Sequence, residues 1–114
     1  MKKDPLIFIE HVLESIENIE SFMRNISKND FLRNIEKQSA VIRQIEIIGE
    51  AIRNLPFEFK EKYPAIAWKE IAGMRDKLVH HYFGIDLNTI WNTVKEDIPL
   101  LKEELTKIKI LEKK

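Results

Sequence analysis

An all-α fold is what this sequence predicts: an antiparallel bundle of four to five helices with a kinked C-terminal helix. Three observations predict it. Apolar residues recur at three- and four-residue spacing through nearly the whole chain. No segment alternates apolar with polar in the manner of a half-buried strand. The breaks between periodic segments are short, which sets consecutive helices antiparallel. The 114 residues suit a single domain over residues 1–114, and 44% hydrophobic content is enough for one packed core.

The first helix starts at Asp4-Pro5, with an acid at the N-cap and proline at the first helical position. Leu6, Ile9, Leu13, Ile16, Ile19, Met23 and Ile26 then predict an amphipathic helix over about residues 5–26. Phe8, Val12 and Phe22 widen the stripe, as suits a helix packed on two sides or one that also meets another subunit. Ser27-Lys28-Asn29-Asp30 caps the next segment. Phe31, Ile35, Val41, Ile42, Ile45, Ile48, Ala51, Ile52 and Leu55 continue the pattern. Irregularity near Asn34 to Gln38 predicts a short helix running into a longer one over about 36–54. Gly49 lies in the middle of the longer helix, at a cost of about 1 kcal/mol relative to alanine. It is read as a close approach of two helices. Glu46 and Glu50 share a face and are read as a solvated edge.

Pro56 ends that helix. Phe57 to Tyr63 has room for one or two turns, closed by Pro64. Trp68, Ile71 and Ala72 fit a first turn, Gly73 loosens it, and the helix is expected to resume through about Phe83, with Gly84 as its C-terminal cap. Asp86 caps the last helix. Its stripe runs through Leu87, Ile90, Trp91, Val94, Ile98, Leu101, Leu105, Ile108 and Leu111, and Pro99 within it predicts a kink or break near Asp97. Trp68 and Trp91 are assigned to the core rather than to base stacking.

Composition narrows the function. Lys plus Arg and Asp plus Glu both number 19, so the formal net charge is zero. No strong global field draws nucleic acid to the chain. Such a contact needs a local basic patch, for example one assembled between subunits. The absence of cysteine excludes disulfides and thiolate metal sites and fits a reducing cytoplasm. No apolar run approaches the length of a membrane span. The segment after Asp4-Pro5 is broken by Glu10, His11, Glu14 and Glu17, unlike a signal peptide. The expectation is a cytoplasmic protein with no membrane partner.

One stretch departs from this scaffold: Met74-Arg75-Asp76-Lys77-Leu78-Val79-His80-His81-Tyr82. On a helix, Asp76 and His80 are four apart and neighbours on one face, so the carboxylate can fix the imidazole tautomer. Arg75 and Tyr82 are seven apart and nearly in line, roughly 10 Å along the axis. Arg75 and His80 can both reach one groove beside the helix. The set suits phosphodiester cleavage in RNA. Arginine presents a planar, permanently charged fork to a phosphate. Histidine exchanges protons near neutral pH. With no clustered Asp/Glu/His cage and no companion to His11 at metal-ligand spacing, no metal site is assigned and a metal-independent route is expected. The ribose 2′-hydroxyl attacks the adjacent phosphorus, leaving a 2′,3′-cyclic phosphate and a 5′-hydroxyl. That reaction uses a base and an acid, and one chain offers one convincing histidine, His80. A second copy in a homodimer would supply the other and bring two Arg75 side chains together. The plainer reading makes His80 a partly buried histidine bonded to Asp76, His81 a surface residue and Tyr82 a buried ring at a helix end.

These residues carry a family resemblance. The sequence resembles the HepT-like branch of the HEPN domains, whose mark R-x4-H-x-Y is matched by Arg75, His80 and Tyr82. Asp4-Pro5, Ile48-Gly49-Glu50-Ala51, Tyr63-Pro64 before Trp68, Gly73-Met74-Arg75-Asp76, His81-Tyr82-Phe83-Gly84 and the Trp91 to Pro99 segment also follow its pattern, so the likeness covers nearly the whole chain. It implies an all-α HEPN bundle that dimerises with its motif segments facing a shared cleft. It implies the ribonuclease toxin of a type VII toxin–antitoxin pair, acting on tRNA or mRNA. The partner would be a minimal nucleotidyltransferase antitoxin, similar to MntA, that moves AMP from ATP onto Tyr82. ATP then serves the partner, and this chain needs no cofactor. The resemblance implies that Arg75 holds the scissile phosphate and His80 transfers protons. Asp76 fills the polar position after the arginine as an orienting residue. The alternative is a non-catalytic helical partner of the nucleotidyltransferase.

Overall fold

The computed structural model describes residues 4–80 and 84–113; of His80 it describes the backbone. The order of elements is α1 (Pro5–Met23), α2 (Lys28–Arg33), α3 (Ile35–Arg53), α4 (Phe57–Glu61), α5 (Trp68–Ala72), α6 (Met74–Leu78), β1 (Val79–His80), β2 (Gly84–Ile85), α7 (Leu87–Asn92), a π-helical turn (Thr93–Asp97) and α8 (Ile98–Glu112). The fold is all-α, as expected for a HEPN bundle with a long C-terminal helix. Among the described residues, no helix is long and apolar enough to cross a membrane.

The expected caps form. Asp4 Oδ1 accepts the Leu6 N–H at 2.9 Å, Ser27 Oγ the Asp30 N–H at 3.1 Å and Asp86 Oδ1 the Thr89 N–H at 3.1 Å. Each satisfies a backbone donor that a helix start leaves open. The irregularity near Asn34 is a true break. Asn34 ends α2 and caps α3, accepting from the Lys37 N–H at 3.0 Å. The first helix stops at Met23, earlier than the stripe suggested, because Asn25 takes a positive φ of 60° and turns the chain.

The core lies where α1, α3 and α8 meet. Ile9, Val12, Ile16 and Ile19 of α1, Ile48 and Ile52 of α3 and Leu105 of α8 are fully buried. Burial of a large aliphatic side chain contributes about 1.5–3 kcal/mol, so this seam carries the fold. The widened stripe of α1 is absorbed within the chain, since Phe8 and Phe22 pack partly buried against the same core. Phe31 anchors α2 and meets the half-buried Trp91 ring at 5.8 Å, while Gln38, buried on α3, donates to the Phe31 carbonyl at 2.9 Å. Trp68 is buried, its indole N–H shared between the Lys60 and Tyr63 carbonyls at 3.1 Å each. Both tryptophans are thus structural. The irregularity predicted at Pro99 is the π-helical turn, in which the Ile98 N–H reaches back to Thr93. Pro99 has no N–H to offer the preceding turn and its ring crowds that turn's carbonyl, which a widened turn relieves.

One expectation fails. The motif helix does not continue to Phe83. It ends at Leu78, and Val79 turns extended at φ −119°, ψ 111°. Val79 pairs with Ile85 and His80 with Gly84 in a two-residue antiparallel ladder. The Leu78 carbonyl accepts the Asp86 N–H at 2.8 Å from across this hairpin. Gly84 is therefore not a helix cap. Its φ of +84°, which side chains disfavour, serves the hairpin instead.

A polar clamp ties the C-terminal helix to the α4 loop. The Tyr63 hydroxyl and the Lys62 ammonium both bond the Glu112 carboxylate, the lysine at 2.8 Å. The hydrogen bonds from Lys62 and Tyr63 hold the Glu112 carboxyl below its ordinary value of 4.5. The bond to Glu112, aided by burial and by its charge, pushes the Tyr63 phenol up to about 12. Linkage fixes the signs. The Glu112 contribution is present above pH 4.5 and lost as pH falls through the lowered value. The Tyr63 contribution is present below pH 10 and lost as pH rises through about 12. Tyr63→Phe is expected to lower the melting temperature near neutral pH, and the deficit should shrink in acid and again above pH 10. A deficit constant across a pH series of thermal melts would show that the clamp does not form.

Candidate functional site

The site is built by the approach of α5 and α6 to the middle of α3. Gly49 makes that approach possible. A Cβ on Gly49 would stand 2.8 Å from the Ala72 carbonyl oxygen, closer than real contacts allow. The sequence reading of Gly49 as a close helix–helix contact is thus correct. Arg53, one turn further along α3, donates from Nη2 to the same Ala72 carbonyl at 2.6 Å. The last turn of α5 is fixed on α3 by a missing side chain and a charge-assisted hydrogen bond. Gly73 then loosens the chain, and α6 starts with Met74 inward and Arg75 beside α3.

Arg75 lies between two carboxylates. Its Nε is 3.4 Å from Glu46 Oε2 on α3, and its Nη1 is 3.6 Å from Asp76 Oδ1. The Nε atom itself is buried and has no aligned hydrogen bond. The side chain as a whole keeps 42% of its surface exposed. Among the described residues the guanidinium makes no aligned hydrogen bond, only these two ion-pair contacts. Glu46, Gly49, Glu50, Arg53, Ala72, Arg75 and Asp76 line a groove of about 220 Å³. Arg43 joins its rim, its Nη1 at 3.9 Å from both Glu46 and Glu50. Arg43, Arg53 and Arg75 thus alternate with Glu46, Glu50 and Asp76. The local patch is balanced within one chain, as the composition is globally.

Sequence reasoning missed Glu46. A glutamate pair on a helix face reads as solvated edge, and Glu50, with 61% of its side chain exposed, is one. Glu46 is half-buried against Arg75. The signal was present: Glu46 stands three residues before Gly49, on the face to which the glycine admits a neighbour.

Other expectations shift with the end of α6. Asp76 and His80 do not share a helical face, because a strand begins between them. Asp76 instead places its carboxylate beside Arg75. The helix that carries Arg75 ends at Leu78. The Tyr82 assignment lies outside the described residues, as do His81 and Phe83. Leu78 anchors the apolar side of α6, buried to 1%, with Val79 packed partly against the core. His11 is exposed on α1. Among the described residues no three His, Cys, Asp or Glu side chains are grouped to hold a metal. A larger groove of about 470 Å³ flanks another face of α6, between Ile71, Met74, Leu78 and the start of α8. Among the described residues its lining includes neither arginine nor histidine, so it offers no guanidinium fork for a phosphate.

The arrangement can grip a phosphate through the exposed part of the Arg75 side chain, with a histidine five residues on in the adjoining hairpin. Comparison with known proteins points the same way. A family profile described as "Ribonuclease HepT-like" matches residues 12–108. A Methanocaldococcus jannaschii protein named "Gamma-glutamylcyclotransferase and putative RNase" is 56% identical over 108 residues, 95% of this chain and 49% of that protein. A Thermococcus cleftensis protein named "Probable ribonuclease HepT" is 50% identical over 109 residues, 96% of this chain and 99% of its own length. A Caldanaerobacter subterraneus protein named "Putative RNase" is 44% identical over 106 residues, 93% of this chain and 95% of its own length. The chain thus spans about half of the first relative and nearly all of the other two. No solved structure matches it.

Proposed function

The chain belongs to the HepT-like ribonuclease family, and from that premise we propose that it is an RNA endonuclease, the toxin of a toxin–antitoxin pair. The observation that carries the reading is the Arg75 guanidinium, ion-paired to Glu46 through its buried Nε and with 42% of the side chain exposed. It is a fork held ready for an anion on a chain whose relatives are named as RNases. Arg75 neutralises the scissile phosphate and the charge that grows on it in the transition state. His80 moves the proton. The 2′-oxygen forms its bond to phosphorus, the bond from phosphorus to the 5′-oxygen breaks, and the departing 5′-oxygen takes up a proton. This sequence needs no metal.

One histidine cannot be base and acid in the same step. A homodimer with two facing sites supplies His80 from each copy. It also adds a second Arg75 to a patch that is electrically balanced in one chain. The partner is a nucleotidyltransferase antitoxin that transfers AMP to Tyr82. The added phosphate would place negative charge two residues beyond His80 and compete with RNA for Arg75. Purified protein incubated with tRNA or mRNA, in the presence of a metal chelator, is expected to yield 5′-hydroxyl and 2′,3′-cyclic phosphate ends. Intact RNA would refute the nuclease. Incubation with the nucleotidyltransferase and ATP is expected to raise the intact mass by AMP units. Tyr82→Phe should abolish that gain, and its persistence would move the modification elsewhere.

A further inference from the structure

We infer that Glu46 is a positioning residue for Arg75: its carboxylate on α3 holds the buried Nε of the guanidinium so that the exposed part of the side chain meets an incoming phosphate. The inference rests on the ribonuclease reading above and adds a residue that neither the motif nor the charge pattern singles out.

The geometry separates two roles that a carboxylate beside an arginine can play. A competitor binds the paired nitrogens that a phosphate would take, and must leave first. An orienter binds at the side and stays. Glu46 Oε2 is 3.4 Å from Nε, and Nε is the nitrogen that solvent does not reach. A phosphate cannot displace Glu46 there without entering the α3–α6 contact. Asp76, on α6 itself, approaches Nη1 at 3.6 Å and is 71% exposed, so it yields to a ligand more readily. Arginine has several rotatable bonds, and fixing them before the substrate arrives removes an ordering cost from the binding step. Glu46 is suited to fix them because its backbone belongs to the 19-residue helix α3. It sits on the longest stretch of α3, one turn before Gly49, where the Ala72 backbone rests directly on the helix. Arg43 at 3.9 Å offsets part of the negative charge, so that Glu46 repels a phosphate less than a bare carboxylate would.

The test compares Glu46→Gln with the parent in RNA cleavage, and then measures RNA affinity in a His80→Ala background that binds without cutting. Glu46→Gln is expected to lower kcat/KM about tenfold, mostly in kcat, because a loosened fork meets the transition state less well. In the His80→Ala background it should weaken RNA binding while Arg75 is present. With Arg75→Ala added, the sign should reverse: removing a carboxylate from beside the phosphate then tightens binding or leaves it unchanged. Equal losses in both backgrounds would mean a purely structural role and overturn the inference. So would a gain of affinity with Arg75 present, the mark of a competitor. An unchanged kcat/KM in Glu46→Gln with an active parent would overturn it while leaving the nuclease standing. A parent that cuts no RNA would remove the nuclease reading, and this inference with it. Thermal melts of each variant exclude misfolding as the cause.

Discussion

His80→Ala is expected to reduce RNA cleavage about a hundred- to ten-thousandfold, the range that loss of a positioned proton-transfer group produces. Arg75→Ala should cost about a hundred- to a thousandfold, as when one preorganised contact to transition-state charge is removed. The Arg75 loss cannot be laid to the fold. Among the described residues the Arg75 side chain makes no hydrogen bond to backbone, and its ion pairs to Glu46 and Asp76 are long and partly exposed, worth about 0–1 kcal/mol. His80 contributes its backbone to the ladder with Gly84, which alanine keeps. Arg75→Ala should therefore melt within a few degrees of the parent, and a melt of His80→Ala separates lost chemistry from lost fold. Arg75→Lys sharpens the test. It keeps the charge and loses the planar fork, so activity should fall between parent and Arg75→Ala. A His80→Ala protein that cuts RNA at the parental rate would eliminate His80 as the proton carrier. It would leave the chain as a helical partner for another enzyme.

The helical scaffold was legible because its signals are local. The stripe of α1, the cap residues Asp4, Ser27 and Asp86, the break at Asn34 and the disturbance before Pro99 each depend on neighbours within a turn or two. The end of α6 was not legible for the converse reason. Met74 to His80 contains no proline and no glycine. What stops the helix there is pairing with Gly84-Ile85 and the Asp86 N–H on the Leu78 carbonyl, contacts made from across a hairpin. The β-branched Val79 tolerates that extended backbone readily, yet a single valine is too weak a signal to outvote the residues around it. The motif spacing singled out Arg75 and His80 as a pair to test, while the single helix imposed on them ends at Leu78. Asp76 places its carboxylate beside the Arg75 guanidinium. Glu46 was hidden for a third reason. A charged residue on an amphipathic helix looks solvated until the element covering it is known, and α6 is brought there by a contact between Gly49 and backbone rather than by side chains.

Gly49→Ala tests that dependence of the site on the scaffold. On an exposed helix the change should stabilise by about 1 kcal/mol, since alanine has the better helix propensity. Here the new methyl would meet the Ala72 carbonyl at 2.8 Å, and that neighbour is backbone, tied in place by Arg53 at 2.6 Å. It cannot swing aside as a side chain would. Either α5 moves off α3 or the contact strains, and overpacking of this kind costs typically about 1–3 kcal/mol. The clash outweighs the propensity gain, so the net result is destabilisation, visible as a lower urea midpoint with an unchanged slope. The functional consequence follows from the chain path. Ala72 is three residues before Arg75, and Gly73 between them transmits a shift without resisting it. Lifting α5 therefore draws the guanidinium away from Glu46 and lowers cleavage, even though Gly49 touches no substrate. The activity loss should appear at temperatures well below the melting transition, where nearly every molecule is folded. A Gly49→Ala protein more stable than the parent, or equally stable and fully active, would show that α3 and α5 can part without disturbing Arg75, and that the glycine is not what builds the site.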